Sequence, residues 1–479
     1  MDFVVSDLEA RQSMVLDAET ICYDGEPICV DVDGETLSKV LHYCKKHAAA
    51  GDDDDLLRAW DAKFVRDLDH DTLCNVILAA DSLCVQGLLR LTCNTVAKMI
   101  KGKSCHEICD IFNLWNYLTH VKKKMHLLKN VNMVHGRSEL EDPNLDRNRA
   151  LRLEENALRA IHIGRCQEFT EYDPKQDFFV CSRLSDPNIA FFDLDKESRI
   201  SRGPPLDGIT GPLSDWGLQS LVNIISFKVA ESEVGYNFSV FGTVIARDEV
   251  HYKCLYLFRR GKDDAQIISS PDDTLILTDP PRGIVLANEV YFETNLKIRC
   301  HGGATKDFSK GMIYLSKARL PVDKKTIKVE STCAFSLSSC LSHVEVECEN
   351  VVRPVEATIA ITILKGACNL GQRIILYSSG DSGRAAGGPV ALARHVVAVP
   401  VDKKVVVSLV SLTDECSYVD GLTEECEEGK DAFITLRPSY QGRVYKMGWG
   451  QVQVQVVWTA VPKSNKYKMD VVGNVMLLH

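Results

Sequence analysis

The stretch Leu73–Lys103, LCNVILAADSLCVQGLLRLTCNTVAKMIKGK, decides the fold of the first part of the chain. Leu73, Ile77, Ala80 and Cys84 follow one another at intervals of four, three and four residues, and Leu89, Cys93, Val96 and Ile100 repeat the pattern. That spacing puts each set on one face of a helix. Gly87 lies between the two runs and suits a tight junction, while Gly102 stands where a helix C-cap is expected. A helical hairpin is predicted. Upstream, Leu37, Val40, Leu41 and Cys44 form a further helical stripe. Downstream, Ser104 and Glu107 form a capping box that opens a helix presenting Ile108, Ile111 and Phe112.

These blocks, with TLSKVLHYCKKH (36–47), AWDAKFV (59–65) and SCHEICDIFNLWNYLT (104–119), resemble the S-phase kinase-associated (Skp) adaptor family over about the first quarter of the chain. In that family the small subunit links F-box proteins to a cullin in ubiquitin ligases. The resemblance implies an α/β BTB/POZ-like domain with extra C-terminal helices, TLSKVLHYCKKH and AWDAKFV matching the family's helix and its Trp-Asp turn. It also implies that Leu73, Ile77, Leu89, Val96, Ile100, Ile108 and Phe112 meet an F-box, although the same residues equally suit a core.

Three departures bear on function. Only Phe3–Val5 is left as material for the family's first strand. Where the family presents an Asn-Tyr pair to the cullin, this chain has Asp81 and Ser82, and losing an aromatic anchor typically costs ~2 kcal/mol or more. After Thr119 comes the basic HVKKKMHLLKN instead of the acidic helix that clasps the F-box.

A chain of 479 residues exceeds one core, so several domains are expected. The divisions read from the sequence are an adaptor-like domain (1–128), a hinge and charged connector helix (129–172), a β-rich domain (173–462) and a tail (463–479). The connector helix spans Pro143–Gln167, with a narrow stripe from Leu151 to Ile161, and is expected to dock on whatever follows it. A net charge of −10 argues against a general nucleic-acid or membrane-surface role, and no apolar run long enough for a signal peptide or a membrane span is present. A protein of nucleus and cytoplasm is expected.

From about Asp173 the sequence turns to short β-branched segments punctuated by Gly, Pro, Asp and Asn. Examples are Leu221–Val229, Tyr236–Ile245, Tyr252–Phe258, Thr274–Thr278, Val290–Ile298, Val355–Leu364, Arg373–Tyr377 and Val405–Leu412. In QVQVQVVW (451–458), Val452, Val454 and Val456 face one way and three glutamines the other. An all-β antiparallel sandwich-like domain is expected. The blocks QEFTEYDP (167–174), VFGTVIARD (240–248), YLFRR (256–260), SSPDDTLILTDPPRGIVL (269–286) and YFETNLKI (291–298) resemble an uncharacterised domain expanded in grasses and found in jasmonate-induced-like proteins. That resemblance implies a plant origin and a binding or structural role, with a ligand it does not name.

Several constellations read more simply than they look. The 18 cysteines are scattered without a CxxC pair and are expected as thiols. Cys105, His106 and Cys109 lack an evident fourth metal ligand, and the acidic loop between Cys416 and Cys426 does not have EF-hand spacing. Asp52–Asp55 is an extended acidic loop, and Lys122–Lys124 a solvated helix face. Gly380-Asp381-Ser382-Gly383 spells a serine-protease signature, but no His and Asp partners are recognisable, and His395 lies downstream on a strand-like segment. No cofactor and no metal is expected. The expected function is non-catalytic: an adaptor for F-box proteins and cullin, or alternatively a degenerate interaction module in a stress or defence protein.

Overall fold

In the computed structural model, the described residues are 3–17, 28–50, 54–114, 145–199, 203–206, 219–278, 280–300, 303–320, 322–323, 328–329, 332–371, 385–389, 392, 394–401, 403–411, 431–438, 442–447, 450–461, 471–472 and 475–476. The chain divides into two compact units. One comprises residues 1–171, 185–193 and 470–479, the other residues 172–184 and 194–469.

The first unit is helical up to Glu168: α1 Asp7–Ala10, α2 Gly34–Ala50, α3 Asp54–Arg66, α4 His70–Ser82, α5 Gln86–Ile100, α6 Cys105–Ile111 and α7 Leu145–Glu168. Short polar side chains start several of them. Asp33 Oδ1 accepts from the amides of Glu35 and Thr36 at 3.1 and 2.9 Å, and Asp69 Oδ1 from that of Thr72 at 2.7 Å. The expected capping box at α6 is present, with the Ser104 amide donating to Glu107 Oε2 at 2.8 Å. These bonds satisfy amides that a helix leaves unpaired, and hydrogen bonding, from the Thr36 side chain and then its amide at Asp33 and from the Thr72 amide and then its side chain at Asp69, holds both carboxyls below their ordinary values.

The expected hairpin is α4 and α5, with two corrections. The first helix ends at Ser82, and the turn is made by Cys84 at φ 51°, so Leu83 rather than Cys84 completes the buried stripe. Gly87 is not the junction but lies in the first turn of α5, where an added Cβ would come 2.7 Å from Tyr43 Oη of α2. Gly102 takes φ 72° after α5, as a C-terminal glycine should.

Two other expectations change. Trp60 and Asp61 lie inside α3 rather than in a turn: Trp60 and Phe64 are one helical turn apart, their rings stacked at 5.1 Å, and Asp61 holds His47 of α2 at 2.8 Å. The acidic run is not wholly a loop, since α3 begins at Asp54. Phe3–Val5 forms no strand, and Val4 is fully exposed.

The second unit is antiparallel β structure, as its alternation predicts. Its main strands are β1 Ser220–Ser232, β2 Phe238–Asp248, β3 Leu255–Arg260, β4 Gln266–Ile268, β5 Ile284–Leu286, β6 Glu289–Arg299, β7 Thr305–Ser316, β8 Thr332–Ser339, β9 Ser342–Val351, β10 Pro354–Gly371, β11 Ala385–Pro389, β12 Val396–Pro400, β13 Val405–Ser411, β14 Asp431–Leu436, β15 Gly442–Met447 and β16 Gly450–Ala460. One sheet runs β8-β9-β1-β5, and a second runs β3-β2-β6-β7 with β4 on β2. A third runs β14-β13-β10-β16-β15, with β11 and β12 also on β10. The first two share one apolar core, built around Phe227, Phe258, Phe292 and Phe308.

The QVQVQVVW strand behaves as read. Val452, Val454 and Val456 of β16 are buried opposite Ile363, Ile361 and Ile359 of β10. Gly242 shows why a strand glycine is needed: at φ 120°, a Cβ there would sit 2.1 Å from the Asn295 carbonyl oxygen.

Thr274–Thr278 is no strand but makes a single bridge, Thr274 to Lys228. The Gln266 side chain takes the place of a strand partner, donating to Thr274 O and accepting from the Ile276 amide, both at 2.8 Å. Arg373–Tyr377, the hinge at 129–142, the Cys416–Cys426 loop and Gly380–Gly383 lie outside the described residues.

Candidate docking surface on the helical unit

The seven residues expected to meet an F-box come together, but mostly inside the unit. Leu73, Ile77, Leu89, Val96, Ile108 and Phe112 are buried in one core, and Ile100 is half-buried at its edge. Much of that burial comes from α7. It lays Ala157, Leu158, Ala160 and Ile161 into the same core, packing against α4 and α5, which precede it in the chain. Asn156 donates to Asn75 Oδ1 at 3.0 Å, and Gly164 lies flat on Val96: a Cβ there would be 3.7 Å from Val96 Cγ1.

The C-terminal end of the stripe stays open. A cleft of about 700 Å³ is lined by Ile100 and Ile108, with Lys98 and Lys101 on the α5 side and Phe191 and Phe192 opposite. Its far wall, the segment Ser185–Asp193, is fixed to α7 by a dense set of hydrogen bonds. Arg165 donates to the carbonyls of Ile189 and Phe192 at 2.5 and 2.6 Å, and Asn188 to that of Leu158 at 3.3 Å. His162 Nδ1 accepts the Ile189 amide at 3.2 Å, and burial, aided by the Arg165 charge, pushes the imidazole pKa down. A neutral ring accepting at Nδ1 fits both observations.

Sequence reasoning missed this wall. Phe191–Phe192 is a short apolar pair amid aspartates, and its place beside α5 is set by the hydrogen bonds of Arg165, His162 and Asn188.

Asp81 and Ser82 are exposed at the C-terminal turn of α4. Partial desolvation raises the Asp81 carboxyl pKa, against an opposing pull from Arg159 of α7. Neither side chain offers a partner an apolar surface.

Polar clusters in the second unit serve a different purpose. Arg247 grips Glu293 through two bonds of 2.6 and 2.8 Å, and Arg282 grips Asp248 at 2.5 and 2.8 Å, all four residues buried. Asp248 also accepts the Val285 amide at 2.9 Å. Burial opposes its charge, but Arg282 and that amide outweigh it, and the pKa is lowered. These pairs are closed to solvent: Arg247 and Glu293 join the neighbouring strands β2 and β6, and Arg282 ties its loop to the end of β2.

Ser198 Oγ lies 2.8 Å from His251 Nε2, yet the backbone amide of Lys253 donates to His251 Nδ1 at 3.3 Å. With Nδ1 accepting, Nε2 carries the proton and donates to the serine, the reverse of what an activated nucleophile needs. Among the described residues, no three His, Cys, Asp or Glu side chains are grouped to hold a metal ion. None of the described helices is long and apolar enough to cross a membrane.

The chain thus joins a helical unit to an antiparallel β unit. A model described as "Skp1 family, dimerisation domain" matches residues 86–120, covering α5 and α6. SKP1-like protein 1A of Arabidopsis thaliana is 42% identical over 131 residues, spanning 23% of this chain and 80% of that protein. SKP1-like protein 15 of the same plant is 36% identical over 145 residues, and SKP1-like protein 20 of Oryza sativa subsp. japonica 39% over 139, each covered over 79% of its length. The chain belongs to the Skp1 family through its N-terminal part. Residues 221–456 match a separate domain of unknown function, DUF6598, so the two families are joined in one sequence.

Proposed function

We propose that the helical unit is a non-catalytic adaptor that links F-box proteins to a cullin in ubiquitin-dependent degradation, acting in nucleus and cytoplasm. The observation that carries this reading is the extent of the likeness: the chain spans 80% of a SKP1-like relative at 42% identity. Packing supports it, since the helices α4–α6 form a well-buried module that leaves the Ile100–Ile108 end of the stripe accessible. The DUF6598 part supplies a second surface, whose ligand would be the cargo or a regulator.

Purification of the full chain from plant tissue, probed for both F-box proteins and cullin, tests the reading. Recovery of both supports it, and recovery of neither overturns it. Asp81 and Ser82 favour a second reading, in which F-box capture persists without cullin. F-box recovery alone would select it.

A further inference from the structure

We propose that Cys333 and Cys348 form a reversible disulfide when the protein meets hydrogen peroxide, and that this bond fastens the edge strand β8 to β9. The two cysteines face each other in the antiparallel ladder, between the pairs Thr332–Glu349 and Ala334–Glu347. Residues directly opposite in such a ladder have Cα atoms about 4.5–5.5 Å apart, inside the range a disulfide requires. Both side chains belong to the same apolar core, and their sulfurs lie 3.3 Å apart as free thiols. Bond formation therefore needs side-chain rotation and no change of register.

Burial gives the two sulfurs different roles. Cys333 keeps 8% of its surface exposed, on a strand bonded on one side only, whereas Cys348 is wholly inside, on a strand flanked by β8 and β1. Hydrogen peroxide, scarcely larger than water, reaches Cys333 first. Acidity follows the same order. With the Cys348 thiol donating to the Cys333 sulfur, that bond holds the Cys333 pKa below an ordinary thiol's against the opposing effect of burial. The bond and burial together raise the pKa of Cys348. In its protonated form Cys333 also reaches the Cys348 carbonyl oxygen, at 3.8 Å, which keeps its sulfur over the partner strand. Burial instead pushes the Cys74 and Cys93 thiols up to about 12, the condition of an unreactive core cysteine.

In the first step the Cys333 thiolate attacks one peroxide oxygen and the O–O bond breaks. Cys333 becomes a sulfenic acid, and the departing hydroxide takes up the proton that Cys333 released, leaving as water. The Cys348 sulfur then attacks the Cys333 sulfur. The S–S bond forms, the S–O bond breaks, and hydroxide leaves with the Cys348 proton as a second water. Two thiols thus lose two electrons and two protons, and the peroxide is reduced to two waters.

Position gives the bond its consequence. The hairpin turns between Ser339 and Ser342, and the cysteines stand near its other, open end, with Thr332–Glu349 the one described pair beyond them. They are 15 positions apart in the chain, so the link closes the whole hairpin. An edge strand is held to its sheet by a single ladder and opens locally more readily than the strands inside. β8 carries Cys333 and Leu337 into the core, and the crosslink keeps them there.

The test uses the full chain, reduced with dithiothreitol, freed of it and exposed to rising hydrogen peroxide, with peptide mapping by mass spectrometry. A linked Cys333–Cys348 peptide is expected at or below the dose that oxidises the exposed Cys29. Hydrogen exchange should slow at least ~10-fold at the β8 amides that bond to β9, and dithiothreitol should reverse both changes. In Cys348→Ala, dimedone should label Cys333 as the sulfenic acid. In Cys333→Ala, Cys348 should stay unlabelled and peroxide should leave β8 exchange unchanged. Circular dichroism checks that each variant folds, and the linked peptide and exchange of the parent decide the matter where one does not. Oxidation of Cys29 without any Cys333–Cys348 link overturns the proposal, and so does a linked chain whose β8 exchanges as fast as the reduced one. Dimedone on Cys348 instead of Cys333 overturns the assignment of Cys333 as the attacking thiol.

Discussion

Arg282 and Asp248 show how a single buried pair can carry more weight than a surface network. Both are nearly inaccessible and joined by two bonds, and Asp248 also organises the Val285 amide. Removing one partner leaves the other charge buried and uncompensated, which costs about 3–5 kcal/mol. Arg282→Met should lower unfolding stability by that amount in a denaturant titration, whereas exposed pairs such as Lys297–Asp307 should cost under ~1 kcal/mol. His251 adds a pH dependence. Burial, reinforced by Arg282, pushes its pKa down from 6.5 to about 4, so the folded state holds the ring neutral. Protonation of the unfolded chain then draws stability away as pH falls from 6.5 toward 4, and above 6.5 the contribution is whole. The expected loss at pH 4 is roughly 3 kcal/mol, and His251→Gln should flatten that part of the stability profile. At Asp81 and Ser82 the question is contact area rather than charge. Asp81→Asn with Ser82→Tyr should raise cullin capture ~10-fold to ~100-fold over the parent. A parent that already captures cullin as strongly would remove the basis for the second reading.

Among the elements, α7 does most to alter what the family pattern implies. Its stripe of Ala157, Leu158, Ala160 and Ile161 is narrow, and periodicity fixed only that some surface must cover it. The structure supplies α4 and α5, which precede α7, while Arg165 and His162 also bind the segment Ser185–Asp193 that follows it, so the helix expected to dock forward docks in both directions along the chain. Leu158 is almost wholly buried there, and Leu158→Ala should cost about 2–5 kcal/mol of the helical unit's stability, read by chemical denaturation.

Periodicity was a good guide where one local signal settled the matter: the stripes of α4 and α5, the Ser104–Glu107 box, the alternation in β16. It failed where a distant group replaced the local partner. Gln266 standing in for a strand beside Thr274 is one case, and Tyr43 dictating the glycine at position 87 is another. Of the candidate site, the stripe itself was legible. The wall at Phe191–Phe192 was not, because its position is set by Arg165 and His162, polar residues of α7 that no apolar pattern reports.

Across the full chain, the Skp1-family match covers under a quarter of the length, and the DUF6598 match lies in a separate unit with its own cores. The helical unit invests much of the expected partner stripe in internal packing: six of its seven residues are buried, and its Ile100–Ile108 end borders a cleft. A partner therefore finds less apolar surface than a full stripe would offer, at about 25 cal/mol per Å² of area no longer available. The most direct test is the affinity of one F-box protein for this chain and for a SKP1-like relative, measured side by side in the same buffer. Binding that is measurable but at least ~10-fold weaker than the relative's is the expected result. Affinity equal to or better than the relative's would contradict the account, and so would no binding at all.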